Sequence, residues 1–297
     1  MRAVDLARGK WPSILSLMNV GSELLDGRHH PCPKGEGVDR FRFADQNGSG
    51  NYFCSCSDGS KGGMALLMCC KGYSYAEAAK EVEKIVGEAK PTSIRPSKDP
   101  AVALNAIRKQ LKPSGSGVKA YLSNRHLDPG WPIREARLPY WNMGQKTAEY
   151  DTMVLPISDP TGRAITYHLT YLEDGRKAHI DPSRKIMTPV KPISGGAIRL
   201  CDPAEEMGVA EGIETALSIP KLFEVPTWSC ISEGMLAAFE PPSIVKKLWI
   251  FGDNDRNFVG QAAAYQLAKR MTARGIECLV SLPKDPGDWN DVLMAMS

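Results

Sequence analysis

Nowhere in this chain is there an apolar run approaching the ~18 residues that a membrane helix needs, so no bilayer-spanning segment is expected. The start, Met1-Arg2-Ala3, is not followed by the apolar stretch and small-residue cleavage site of an export signal. Neither sign of charge dominates. Lys and Arg number 37 against 34 Asp and Glu, and the resulting +3 is too small for bulk charge alone to mark a nucleic-acid binder. No G-x-x-x-x-G-K-[ST] string occurs, so no helicase motor is expected within the chain. Internal repeats and low-complexity tracts are also missing. What is present includes eight cysteines, which without an export signal point to metal ligation or buried thiols rather than disulfides. At 297 residues the chain is long enough to bury one large core or two smaller ones, and two domains are expected. A soluble, intracellular, multi-domain protein is the expectation.

Three textures succeed one another. Up to about residue 90, short strands are expected at Arg40–Phe43 and Asn51–Cys54, with helices over Met64–Cys70 and Tyr75–Val86. A polar stretch with two prolines, Glu88 to Lys98, reads as a linker. Helices at Ala101–Gln110 and Val118–Asn124 follow, then hairpin-like strands at Thr152–Ile157, Ala164–Leu172 and Ile198–Leu200. From Met207 the pattern alternates: strands Met207–Ala210, Thr227–Cys230, Leu248–Gly252 and Glu277–Ser281 are separated by helices Gly212–Leu222, Gly234–Ala238 and Val259–Arg274, and Trp289–Met296 closes as a helix. Such alternation predicts a parallel sheet covered by helices.

Cysteines flank the first predicted hairpin. His29-x-x-Cys32 and Cys54-x-Cys56 are two close pairs of the kind a tetrahedral zinc site uses, and two short strands cannot bury a useful core unaided. His30 is the alternative to His29, and free thiols beside a surface His-His pair are the competing reading. Cys69 and Cys70 fall in an apolar helix and read as core, while Cys201, Cys230 and Cys278 are isolated. Within the hairpin, Arg40 and Arg42 alternate with Phe41 and Phe43, so one pair faces inward and the other outward.

Carboxylates mark the third zone. Glu211 follows one predicted strand, and Asp253-Asn254-Asp255 follows another, so both groups belong at the carboxyl edge of the sheet where ligands bind. A hard, all-oxygen donor set of this kind suits Mg²⁺ or Mn²⁺. A D-x-D string by itself is common as a helix cap or solvated turn, and its pairing with a strand-end glutamate is what raises the metal reading above that. Glu214, one helical turn beyond Glu211, is a further candidate.

Pro31-Cys32-Pro33, Asp39-Arg40-Phe41-Arg42-Phe43 and Tyr52-Phe53-Cys54 resemble the zinc ribbon of phage and plasmid primases, whose pattern is C-P-x-C-G-G-x-D-R-F-R-F followed by W-F-C-x-x-C. Gly35 stands where that pattern has its second cysteine, and Ser57 where it has its fourth, with Cys56 one place early. Val209–Leu217, Trp249–Asp255, Gly260 and the ending Pro283 to Leu293 resemble the Toprim domain of bacterial-type primases. Arg256-Asn257-Phe258-Val259 departs from it, because the family more often has small residues there. Tyr121-Leu122, Tyr167–Leu172, Gly175-x-Lys177 and Gly195–Leu200 resemble the segment preceding Toprim in such proteins.

These resemblances imply an α+β and α/β multi-domain architecture: a zinc ribbon over 1–90, a linker over 91–115, a mixed α/β primase-core subdomain over 116–205, and a Rossmann-like Toprim domain over 206–297. They imply a DNA primase of phage, plasmid or mobile-element type, working in the bacterial cytoplasm and making short RNA primers on single-stranded DNA from NTPs. Zinc would be held by Cys32, Cys54, Cys56 and His29. Mg²⁺ or Mn²⁺ would be held by Glu211, Asp253 and Asp255, with Glu211 either binding metal or assisting proton transfer. Nucleic acid or nucleotide would meet Arg40, Arg42, Lys177 and Arg199, while His168 reads equally as a packed sheet residue. A separate replicative helicase is the implied partner. A Toprim-type nuclease and a non-catalytic single-stranded-DNA-binding protein are the alternatives.

Overall fold

The computed structural model describes residues 2–34, 37, 39–45, 48–54, 62–89, 91, 99–128, 130–142 and 145–296. Two compact units emerge, one of Met1–Asp99 with Tyr140–Ala148 and one of Pro100–Pro139 with Glu149–Ser297. No helix among the described residues is long and apolar enough to cross a membrane.

The first unit opens with two helices that the sequence pattern does not announce, α1 (Ala3–Leu6) and α2 (Trp11–Leu17). Next come the short strands β1 (His29–His30), β2 (Phe41–Phe43) and β3 (Tyr52–Cys54), then helices α3 (Gly63–Lys71) and α4 (Tyr75–Ile85). A capping box, Ser74 with Glu77, starts α4. The strands form an antiparallel sheet in the order β1-β2-β3. Phe41 and Phe43 are fully buried, and Arg42 between them is not, as strand alternation requires. Trp11 is the buried post around which the unit closes. A Cβ at Gly63 would lie 2.2 Å from its ring, and one at Gly50, where φ is +68°, would lie 2.5 Å from it. Only glycine admits both approaches.

The second unit contains α5 (Pro100–Arg108), which occupies part of the expected linker, then β4 (Lys112–Pro113) and α6 (Ser116–Ser123). Long strands β5 (Arg134–Asn142) and β6 (Gln145–Ser158), of which the stretch Tyr140–Ala148 is grouped with the first unit, and β7 (Ala164–Glu173) follow, with short strands β8 (Arg176–Lys177), β9 (Arg184–Ile186) and β10 (Ala197–Ile198). β5 alternates, with Ala136, Leu138 and Tyr140 buried and Arg137 and Trp141 exposed, but Pro139 in its middle reads against a strand and it is not foreseen. The last third alternates β11 (Glu206–Ala210), α7 (Ile213–Phe223), β12 (Thr227–Ser229), α8 (Glu233–Ala238), β13 (Lys247–Phe251), α9 (Val259–Thr272), β14 (Glu277–Ser281) and α10 (Trp289–Ala295). These are the expected elements, within a residue or two at their ends.

The sheet runs β14-β13-β11-β12-β10-β6-β5-β4, with β7 also paired to β6. The β11, β12, β13 and β14 pairings are parallel, whereas β10 joins β12 and β6 antiparallel. One mixed sheet therefore replaces the separate sheets that the texture change suggests. Val209 and Ile250 lie at its centre without solvent exposure, and the whole third zone packs into one core with Tyr121 and Leu122 of α6.

Candidate active site

Parallel pairing of β11 and β13, in register from Glu206↔Lys247 to Ala210↔Phe251, brings their carboxyl ends level. Glu211 leaves β11 immediately, and its backbone carbonyl accepts bonds from Ile231 N–H (2.6 Å) and the Ser229 hydroxyl (2.8 Å). Past β13, Asn254 exchanges two backbone hydrogen bonds with Gly287, at 2.9 and 3.2 Å, and its side chain donates to the Pro283 carbonyl at 3.1 Å. The loop bearing Asp253 and Asp255 is thus tied to the loop bearing Asp288. Gly260 is obligatory here, since a Cβ would stand 2.8 Å from the Asp253 carbonyl and 3.0 Å from Asp255 Oδ2.

The carboxylates repel one another. Burial, then Asp253, Glu233 and Asp255, push Glu211 up to about 8, with Arg184 opposing. Burial, followed by Asp288, Asp255, Asp291 and Glu214, pushes Asp253 up to about 7. Oδ1 of Asp253 is buried without a hydrogen-bond partner. Asp255 differs: its Oδ2 accepts from Gly260 N–H at 3.1 Å, so it also braces the turn into α9. Among the described residues no three His, Cys, Asp or Glu side chains converge as a ready ligand set. An orphaned buried carboxylate oxygen within a mutually repelling group is nevertheless the chemistry that a hard cation relieves, so the residues fit one.

Two neighbours escape a reading of the sequence. Asp288 caps α10, accepting from Asn290 and Asp291 N–H, and is the foremost charged neighbour raising Asp253. Its capping box with Asp291 conceals that second position. Arg184 of β9 is an exposed cation acting on Glu211 from a different part of the sheet, and no local pattern marks it.

Glu214 is nearly buried and pairs with Lys177 Nζ at 2.7 Å, and its carboxylate also accepts a hydrogen bond from the Tyr121 hydroxyl. Burial pushes Glu214 up, but Lys177 and Tyr121 outweigh it and leave the carboxyl at about 2. Lys177, itself about a quarter exposed, lines a cavity of about 640 Å³ with Tyr121, Arg125, Arg176, His179 and Asp291. His168 is buried, its Nδ1 unbonded, and burial lowers it to about 4. The guanidinium of Arg199 lies 4.5 Å over the Trp228 ring and donates to the Pro160 carbonyl at 3.2 Å, a bracing position.

In the first unit, register pairs His29 with Arg42 and Phe53 across the sheet, and His30 with Phe41 and Cys54. Directly paired residues share a face, so His30 and not His29 lies on the face of Cys54. Cys32 and Cys54 are buried, and Cys32 Sγ accepts from Lys34 N–H at 3.4 Å. His30 Nε2 meets Asp26 at 2.7 Å. Gly35, Cys56 and Ser57 lie outside the described residues. On the other face Arg42 sits 5.5 Å over the ring of Phe53, which is 40% exposed. Arg40 directly precedes β2, one residue ahead of the buried Phe41.

Residues 206–297 match the Toprim domain family, residues 98–200 a domain of unknown function, and residues 27–64 the zinc-binding domain of primase-helicase. The chain is similar to the zinc-binding and RNA polymerase domains of the Aquifex aeolicus primase, at 16% identity and a TM-score of 0.47, over 99% of this chain and 82% of that one. It is also similar to the primase fragment of the bacteriophage T7 primase-helicase protein, at 15% identity and a TM-score of 0.42, over 91% of this chain and 95% of that one. The E. coli primase catalytic core matches at 14% identity and a TM-score of 0.42, over 60% of this chain and 68% of that one. A primase-type zinc-binding domain and a Toprim domain in one chain are the combination of a phage- or bacterial-type primase.

Two outcomes follow from the charges. Glu211 and Asp253 bind protons more tightly folded than unfolded, so without divalent cations stability falls as pH rises from the ordinary carboxylate range towards 8. Asp253→Asn should therefore stabilise the metal-free protein, by more at about pH 8.5 than at about pH 5, in urea melts with chelator. An equal effect at both values would refute the raised proton affinity of Asp253. Lys177→Ala strands a buried carboxylate and should cost about 3–5 kcal/mol, whereas pairing Lys177→Met with Glu214→Gln should recover part of the loss. A full double-mutant cycle checks the coupling.

Proposed function

We propose that the protein is a DNA primase that makes short RNA primers on single-stranded DNA by metal-dependent nucleotidyl transfer. The observation that carries this reading is the set of mutually repelling carboxylates at one sheet edge, with a buried Asp253 oxygen left unbonded. Glu211, Asp253 and Asp255 would hold a divalent ion, Mg²⁺ or Mn²⁺, with Asp288 as a further donor. When bound, that ion would align a primer 3′-hydroxyl on an α-phosphate and neutralise the leaving pyrophosphate.

The protein's own groups supply the remainder. Arg184, the cation that opposes the rise at Glu211, would pair with phosphate oxygens and offset the charge of the edge. Lys177 is held at its cavity by Glu214, so it would meet a phosphate without first losing side-chain freedom. In the ribbon, Phe53 would stack on template bases, with Arg42 over its ring and Arg40 near the backbone phosphates. Arg199, braced on Trp228, would act through the position of β10, which it directly follows. A phage, plasmid or mobile-element setting and a separate replicative helicase partner complete the reading.

For zinc we take Cys32, Cys54 and Cys56 with His30 in place of His29, because His30 shares the face of Cys54. Asp26 on His30 is the outer carboxylate that a metal-bound imidazole commonly has. Elemental analysis should find one zinc per chain, retained in His29→Ala and lost or weakened in His30→Ala. The reverse pattern would restore His29. Cys54→Ser should unfold the first unit, since metal binding and folding are coupled in so small a domain.

Activity has its own test. With single-stranded DNA, labelled NTPs and Mg²⁺ or Mn²⁺, the protein should yield short ribonucleotide products. Asp253→Asn and Asp255→Asn should each lower the rate by at least about a hundredfold while leaving DNA binding intact, and the double variant should be little worse. Degraded template without primers would favour a nuclease, and near-normal synthesis by either variant would remove the site assignment.

A further inference from the structure

The turn from β13 into α9 is shaped by its own hydrogen bonds. Phe258 N–H donates to the Asp255 carbonyl at 3.1 Å, and Gln261 Nε2 donates at 2.8 Å to both that carbonyl and Asn254 Oδ1. Asn257 Oδ1 accepts from Val259 N–H at 3.3 Å. None of these bonds requires an aromatic side chain at position 258. Yet Phe258 has φ +63°, in the left-handed region that favours glycine, and it is 70% exposed. Val259 beside it is also exposed, as are Arg256 and Asn257. A bulky side chain on unfavourable backbone, contributing little to the core, points to a role outside folding.

We propose that Phe258 is a stacking platform for a nucleobase, the base of a nucleotide or strand whose phosphate would meet the divalent ion that the adjoining carboxylates would hold. The proposal rests on the nucleotidyl-transfer reading of that edge. Phe258 is three residues beyond Asp255 and hydrogen-bonded to it, so its backbone position is fixed relative to the carboxylates. Every base offers a π-face, so such a platform tolerates any sequence, and Arg256 supplies a nearby cation for the backbone. A phenylalanine on a rigid turn loses little freedom when it stacks.

Phe258→Trp turns the platform into its own reporter. Its emission, taken as the difference from wild type, should be quenched by single-stranded DNA or by an NTP alone, and not by an abasic oligonucleotide of equal length. The DNA and NTP arms separate a template base from an incoming one, and quenching in either supports the platform. In primer synthesis, Phe258→Ala and Phe258→Leu should raise the apparent KM for that ligand about tenfold with kcat little changed, and Phe258→Trp should keep it near wild type. Phe258→Gly should show the same KM defect with a thermal midpoint equal to or above wild type, because the left-handed backbone then costs nothing. No quenching by base-bearing ligands, quenching by the abasic strand as well, a wild-type KM in the leucine variant, or a marked loss of midpoint in the glycine variant would each overturn the proposal. Fluorescence does not require turnover. A quenched tryptophan variant in a protein that makes no primers would sink the nucleotidyl-transfer reading and leave the platform standing.

Discussion

Like charges brought together by a parallel sheet govern the second unit. The backbone register of β11 and β13 sets where Glu211 and Asp253 stand, and the Asn254–Gly287 bridge adds Asp288 to the group. Their burial and mutual repulsion are an energetic cost written into the fold, set against a core that is continuous from α6 to α10. Sites that must grip a cation or a developing charge are commonly built in this way, with stability given up for a preorganised field. The same constraint explains why the turn after β13 is so heavily hydrogen-bonded. Gly260, Gln261 and the bridge together hold the backbone that carries these carboxylates.

A second electrostatic device sits behind the first. Glu214 is buried one helical turn past Glu211, but its charge is matched by Lys177 and by the Tyr121 hydroxyl. This pairing links α6, the β8 hairpin and α7, elements distant in sequence, at one buried point. Two glutamates on neighbouring positions thus have opposite fates: one is raised towards neutrality and the other is held ionised. Environment, not residue type, assigns the roles.

The first unit solves a different problem. Its sheet is three short strands, too small to be stable alone, and it borrows burial from Trp11 and the flanking helices. Two faces emerge from its alternation. One carries the buried aromatics with Cys54 and His30, the other the Arg42–Phe53 pair, so a metal site and a surface for stacking can coexist without competing.

By itself the sequence determined the alternating third zone, the carboxylates that end its strands, the cysteine-flanked hairpin and the alternation of Arg40 and Arg42 with Phe41 and Phe43, though not which of those pairs is buried. Each of those is written in local periodicity or in spacing along the chain, where hydrophobic alternation and strand ends are readable. Tertiary structure alone decided which carboxylates act on which, because Asp288 looks like an ordinary helix cap and Arg184 like an ordinary surface cation until the sheet brings them to Glu211 and Asp253. It also decided that Lys177 belongs to Glu214, that Arg199 lies against Trp228, and that His30 rather than His29 shares a face with Cys54. The physical reason is the same in every case: charge interactions and strand register act through space, over a few ångströms between residues tens of positions apart, and one-dimensional spacing carries no record of that distance.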